Sequence, residues 1–313
     1  MQKQILLASP RGFCAGVIRA IDIVNLGLDV YGKPLYVLNE IVHNRHVVDE
    51  LRAKGVVFVR DLAEVPPGSR VIFSAHGISP EVRLQAKERN LQTIDATCPL
   101  VTKVHLEALK YKKENYTIVL IGHRDHEEVT GTLGEAPDHM VLVSNVEEAD
   151  RLVVQDAEKI AYLTQTTLSL DDTREIIDRL RERFPKIKGP AVNDICYATQ
   201  NRQGAIQQVS AQVDLVLVVG SANSSNSNRL VEVASKNGSR AYLIEDGDSI
   251  RPEWLVRVSR IGISAGASTP EELVNRAINK LRQLGYSDVI QVDSVPEDVH
   301  FALPPELATV IRN

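Results

Sequence analysis

DLVLVVGSANSSNSNRL, residues 214–230, carries the reading on which the fold turns. Leu215 to Val219 is apolar at every position, with no alternation that would leave one face to water. Strands of a parallel sheet covered by helices on both faces read this way. The run stops at Gly220, and seven of the next eight residues, Ser221 to Asn228, are small and polar. Asn and Ser favour turns and helix N-caps, so a helix is expected to follow. The same hydroxyls and amides at a helix start also suit an anion, which leaves two readings, a long cap or an anion cradle.

The unit recurs. VIFSAHG (71–77), TIVLIGH (117–123) and RIGISAGAS (260–268) each run from an apolar strand into a small polar turn. No fixed period links them, so they are similar units and not a solenoid. Further strands are expected at Ile5 to Ala8, Leu35 to Leu38, Val56 to Val59, Met140 to Val143, Ile160 to Leu163 and Ala241 to Ile244. Helical stripes occupy Gly16 to Val30, Pro80 to Glu88, Pro99 to Lys112, Asp172 to Phe184, Asn201 to Val213 and Pro270 to Leu284. This alternation predicts an α/β class with parallel sheets. Ligands of open α/β sheets bind just past the carboxyl ends of the strands, where these turns lie. Plain tight βα connections are the other reading of the same residues.

The chain has 313 residues, enough for two or three domains. Hydrophobic residues make up 43% and charged residues 25%, ordinary for a folded globular protein. A formal charge of -5 offers no basic field for nucleic acid. No apolar run approaches the roughly 18–20 residues of a membrane span. MQKQILLASPRGF at the start fits a first strand better than a signal peptide.

Cys14, Cys98 and Cys196 are the three cysteines, 84 and 98 residues apart. An odd count at wide spacing is not a secreted disulfide framework, and a reducing, cytoplasmic compartment is expected. No pair has the CxxC spacing of a zinc ribbon or a ferredoxin. Yet PRGFCAG, DATCPLVTKVH and NDICYATQNRQ each place the cysteine just before a helical stretch, with Pro99 at a first helical position. Orphan amides and the helix dipole favour the thiolate there, the form that ligates iron or zinc. Three unrelated buried thiols acting as small hydrophobes are the alternative.

Histidines gather in three places. GHRDHEEV (122–129) carries His123 and His126, NEIVHNRHVVDE (39–50) carries His43 and His46, and SAHG carries His76. His123 and His126 could meet a metal, although the segment also reads as a solvated loop. In GASTPEE (266–272), Thr269, Pro270 and Glu272 predict a capping-box helix start, with Ser268 at the same end. TQTTLS (164–169) follows the strand ending at Leu163. No GxxxxGK[ST] loop occurs, so a phosphate here would be held by amides, hydroxyls and histidine.

Taken together, PRGFCAGV, EIVHNR, SAHG, DATCPLVTKVH, GHRDHEEVTGT, TQTTLS, NDICYATQNRQ, GSANSSNSNRL and GASTP stand in one order along the chain to about residue 285. In that set the sequence resembles the 4-hydroxy-3-methylbut-2-enyl diphosphate reductase family, which performs the last step of the bacterial methylerythritol phosphate route to isoprenoids. The resemblance implies a trefoil of three similar α/β domains around a central cluster and substrate cavity. It fits domains at residues 1–98, 99–195 and 196–285, with a C-terminal tail at 286–313. It implies one 4Fe–4S cluster on Cys14, Cys98 and Cys196, one iron left open. By the same resemblance His43, His76, His126, Ser224, Ser225, Asn226 and Ser268 bind the diphosphate. Glu128 supplies the proton that lets the hydroxyl leave as water, and Thr166 hydrogen-bonds that hydroxyl. A low-potential flavodoxin- or ferredoxin-type donor is implied as partner. The sequence departs from the family at Glu127, where proline is common between the histidine and the acid. A non-redox iron–sulfur hydro-lyase acting on a small phosphorylated substrate, and a phosphate-binding sensor with structural cysteines, are the competing readings.

Overall fold

The computed structural model describes residues 3–308. Twelve strands and eleven α-helices are found among them. The strands are β1 (Gln4–Ser9), β2 (Leu35–Leu38), β3 (Val56–Val59), β4 (Arg70–Phe73), β5 (Gln92–Asp95), β6 (Thr117–Ile121), β7 (Met140–Val143), β8 (Ile160–Thr164), β9 (Leu215–Val219), β10 (Arg240–Ile244), β11 (Arg260–Ala265) and β12 (Asp288–Asp293). The helices are α1 (Ala15–Tyr31), α2 (Arg45–Lys54), α3 (Pro80–Glu88), α4 (Pro99–Lys113), α5 (Glu127–Glu135), α6 (Val146–Arg151), α7 (Leu170–Arg183), α8 (Tyr197–Ser210), α9 (Ser225–Lys236), α10 (Glu271–Gln283) and α11 (Pro305–Ala308).

The strands form three parallel sheets, as the apolar runs predict. Their orders are β10-β9-β11-β1-β12, β3-β2-β4-β5 and β7-β6-β8. The chain divides into two compact units. One comprises residues 3–15, 43–47 and 197–300 and holds the five-stranded sheet; the other comprises residues 16–42, 48–196 and 301–308 and holds the remaining two.

In the first unit, β9 explains its own unbroken apolar run. Leu215, Leu217 and Val219 face a cluster with Ile5, Ile261, Ile263 and the α10 residues Leu273, Ala277 and Leu281. Val216 and Val218 face the other way, onto Ile206 of α8 and Leu230, Val233 and Ala234 of α9. Each such side chain removed from water contributes roughly 1.5–3 kcal/mol. In the second unit β6 repeats the scheme. Val119 and Ile121 pack with Ile176 and Leu180 of α7, while Ile118 and Leu120 pack with Val104 and Ala108 of α4 and Val129 of α5. The four-stranded sheet places Leu38, Val59, Val71 and Phe73 in a further cluster with Ile78, Ala86 and Leu91.

Several sequence expectations shift. β1 lies in the segment expected as residues 1–98, yet it pairs with β11 and β12. β12 falls in the expected tail and adds an edge strand to that sheet. The last five tail residues, 309–313, lie outside the described residues. Helix α8 starts at Tyr197 and ends at Ser210, earlier at both ends than Asn201 to Val213. The capping box expected from Thr269 and Glu272 does not form: Pro270 is the N-cap of α10 and makes no side-chain bond. The Thr269 hydroxyl instead donates to the carbonyl of Val219, 3.1 Å away, tying the turn to β9.

Candidate active site

The three cysteines occupy equivalent places. Cys14 precedes α1, Cys98 is the N-cap of α4 and Cys196 precedes α8, and all are half-buried. Each backbone N–H donates to a carbonyl two residues past the end of a strand. Cys14 bonds Ala267 beyond β11 (3.1 Å), Cys98 bonds Ala75 beyond β4 (3.0 Å), and Cys196 bonds Thr166 beyond β8 (3.0 Å). Each of the three sheets therefore carries one cysteine at its carboxyl edge, at a helix start.

In the first unit the polar turns gather around Cys14. Ala267, which accepts the Cys14 N–H, donates its own N–H to Asn226 Oδ1 at 2.8 Å. The Ser268 hydroxyl donates to the His43 carbonyl at 2.9 Å. Ser224 caps α9, its Oγ accepting from Ser227 N and from the Ser227 hydroxyl, and Ser225 opens the helix. The run Ser221 to Asn228 is thus a turn and cap, and it keeps Ser224 and Asn226 buried beside the Cys14 turn. Gly266 makes this approach possible, because a Cβ there would stand 2.0 Å from Ser227 Oγ. Tyr197, one residue past Cys196, accepts the Ala15 N–H through its hydroxyl at 3.2 Å. Burial pushes the Tyr197 phenol up to about 12, with nearby Cys14 adding to the rise. His46 stands 3.9 Å from Glu272 in the same unit.

The second unit holds the acid. Glu128 is only 3% exposed. Its Oε1 accepts the Thr166 N–H at 2.6 Å, and its Oε2 accepts the Thr166 hydroxyl at 3.0 Å. The segment expected as a possible solvated loop is a helix start: His126 is the N-cap of α5, its Nδ1 accepting the Glu128 N–H at 3.2 Å. A neutral His126 ring therefore carries its proton on Nε2. Among the described residues no group of three ligating side chains includes His123 with His126. The His76 ring meets His126 edge-on, with centroids 6.0 Å apart. His76 Nδ1 lies 3.0 Å from Glu127 Oε2 and 3.3 Å from Ser74 Oγ. Gly77 turns the chain at φ +82°, and a Cβ there would sit 3.1 Å from His105 and from Val101.

Asp194, two residues before Cys196, is buried, and burial pushes its carboxyl up to about 7 against the opposing pull of Lys103. Burial also lowers the Arg19 guanidinium below its usual value, offset in part by Cys98 and Asp95. Sequence reasoning missed Glu127 as the partner of His76. It also passed over Arg19, Lys103 and Arg202, which carry no local signature and meet residues far away in the chain.

The structure is an α/β protein with one half-buried cysteine at the carboxyl edge of each of three parallel sheets and a buried acid joined to one of them through Thr166. A family profile described as LytB protein matches residues 5–282, and the chain belongs to that family. It is 54% identical over 97% of its length to a 4-hydroxy-3-methylbut-2-enyl diphosphate reductase of Tolumonas auensis, covering 99% of that protein. The reductase of Nocardia farcinica is 55% identical over 99% of this chain and 93% of its own. Among solved structures, the E-1-hydroxy-2-methyl-but-2-enyl-4-diphosphate reductase of Plasmodium falciparum superposes with a TM-score of 0.97 at 40% identity, covering 100% of this chain and 99% of that one.

Proposed function

We propose that this chain catalyses the reductive dehydroxylation of 4-hydroxy-3-methylbut-2-enyl diphosphate. Two electrons and two protons enter, the allylic C–O bond breaks, water leaves, and isopentenyl and dimethylallyl diphosphates form. The observation that carries the reading is the reductase relatives at 54–55% identity along 97–99% of the chain. The site agrees with it, because the buried acid Glu128 and the cysteine Cys196 are joined through one residue, Thr166. The relatives' names do not favour a non-redox hydro-lyase.

Cys14, Cys98 and Cys196 fit a three-thiolate cluster site in donor chemistry, each half-buried at a helix start. A 4Fe–4S cluster held there would supply electrons one at a time and an iron free of thiolate, able to polarise the hydroxyl. Glu128 would give the departing hydroxyl its proton. With both oxygens bonded to Thr166, the carboxyl keeps one orientation, and Thr166 passes its hydroxyl bond between acid and substrate. His43, His76, His126, Ser224, Ser225, Asn226 and Ser268 would bind the diphosphate. These are donors of N–H and O–H type that need no lysine, consistent with the polar turns they occupy.

The electrons would come from a low-potential donor of flavodoxin or ferredoxin type in a cytoplasmic setting. Among the described residues no helix is long and apolar enough to cross a membrane. Product analysis tests the reaction class. Anaerobic incubation with substrate should yield both five-carbon diphosphates only when a reductant is present. A diene diphosphate, the substrate less one water, formed without any reductant would support the hydro-lyase and overturn this reading.

A further inference from the structure

Three cations hold the chain just upstream of the three cysteines, and they do so in cyclic order. Arg19 lies five residues after Cys14, on α1; its Nη1 donates to the carbonyls of Ala96 (3.3 Å) and Thr97 (3.0 Å), the two residues before Cys98. Lys103 lies five residues after Cys98, on α4. Its Nζ donates to the carbonyls of Val192 (2.5 Å) and Asn193 (3.4 Å) and to Asp194 Oδ1 (2.8 Å), the residues leading to Cys196. Arg202 lies six residues after Cys196, on α8. Its Nε and Nη2 donate to the Gly12 carbonyl (3.1 and 2.7 Å), and Nη2 also reaches the Phe13 carbonyl (3.4 Å), the two residues before Cys14.

We infer that Arg19, Lys103 and Arg202 are positioning residues for the cysteines, each carried by the helix one cysteine begins and fixing the loop of the next. The inference rests on the reading that the three thiols hold a common cluster. Each cysteine's N–H is already tied to a carbonyl past a strand end. With the preceding peptides tied to a cation as well, the backbone is held on both sides of the ligand. Such preorganisation lowers the ordering cost of binding and resists loss of the bound group. Two of the cations are deeply enclosed: Arg202 is 0% exposed and Arg19 is 9%. A buried guanidinium keeps its place only where carbonyls or carboxylates satisfy its donors.

The segment past residue 285 takes part. Glu297 Oε1 accepts from Arg202 Nη1 at 2.8 Å and from Asn201 at 3.1 Å. The Ala302 carbonyl accepts from Arg19 Nε at 2.7 Å. The expected tail thus braces two of the three cations.

The test is site-resolved labelling of the holoprotein. Cluster loss is started anaerobically with a chelator, samples are quenched with iodoacetamide, and each cysteine is quantified by peptide mass spectrometry. Arg202→Met should label Cys14 about tenfold faster than wild type, the scale of losing bonds to a charged group. Arg19→Met should do the same at Cys98, and Lys103→Met at Cys196. Glu297→Gln, which leaves Arg202 in place, should raise labelling at Cys14 alone and by less; it keeps the test alive if Arg202→Met does not fold. Faster labelling of the cysteine that begins the mutated helix, an equal rise at all three, or no rise would overturn the inference. If the protein takes up no iron, the cluster reading fails, and the labelling order in the metal-free chain still decides the clamps.

Discussion

Glu128 and Thr166 form a two-point contact in which one residue occupies both oxygens of a buried carboxyl, at 2.6 Å through its N–H and 3.0 Å through its hydroxyl. The same Thr166 accepts the Cys196 N–H through its carbonyl. Acid and cysteine are thereby fixed to a single residue at the edge of a sheet.

Glu128→Gln keeps the shape and most of these bonds but removes the transferable proton. It should retain full iron content and substrate affinity while kcat falls about 10²–10⁴-fold, the usual worth of a positioned acid. Iron analysis with steady-state kinetics checks this; turnover within a few-fold of wild type would remove Glu128 from the acid role.

Replacing any one of Cys14, Cys98 or Cys196 with serine should abolish stable cluster binding, because a hydroxyl is a far weaker iron ligand than thiolate. The visible absorption of the reconstituted protein and its iron-to-protein ratio report the loss. A variant that keeps a normal iron ratio through gel filtration would contradict the three-ligand scheme.

Glu127 contacts His76 Nδ1 at 3.0 Å, and the pair is largely sheltered from solvent, at 14% and 27% side-chain exposure. A carboxylate on one ring nitrogen fixes the orientation of the other. Glu127→Ala should raise KM for the diphosphate about tenfold, the loss of one charge-assisted bond, with kcat changed less than about twofold. Glu127→Asp should restore part of the affinity. A fall in kcat at constant KM would show that Glu127 acts on the chemistry and not on the diphosphate.

How much of this could be read in the sequence depended on burial. β6 and β9 were legible because clusters on both faces demand unbroken apolar runs. β12 (DVIQVD) was not, since it is an edge strand with largely solvent-facing side chains and no alternation. Helix α5 was hidden by Gly131 and Gly134, poor helix formers kept for close approach to Gly77 and Ser79. The cysteine positions at helix starts were visible in the local pattern, and all three hold in the structure. Arg19, Lys103 and Arg202 looked like ordinary helix charges, because their partners lie roughly 80–190 residues away and only the fold brings them together.

Asp214 gives the chain one acid-sensitive joint. Its carboxylate accepts the backbone N–H groups of Ser259 and Arg260 at 2.8 and 3.0 Å, holding its pKa below the usual carboxylate value and anchoring the start of β11. A depressed pKa means that the stabilisation is present above the unfolded value of about 3.9 and is lost as pH falls through the folded value. Asp214→Asn should therefore melt earlier than wild type at pH 7, and the gap should close as pH is lowered from about 4 toward 2. Melting curves across that range check it; a gap that stays constant or widens would contradict the assignment.

The most direct measurement follows oxidation of a reduced viologen dye by the anaerobically reconstituted protein. On addition of 4-hydroxy-3-methylbut-2-enyl diphosphate, dye oxidation should begin, continue in proportion to substrate and stop when it is consumed, two electrons per molecule. A brown, iron-loaded protein that leaves the dye reduced in the presence of substrate would contradict the reductase account.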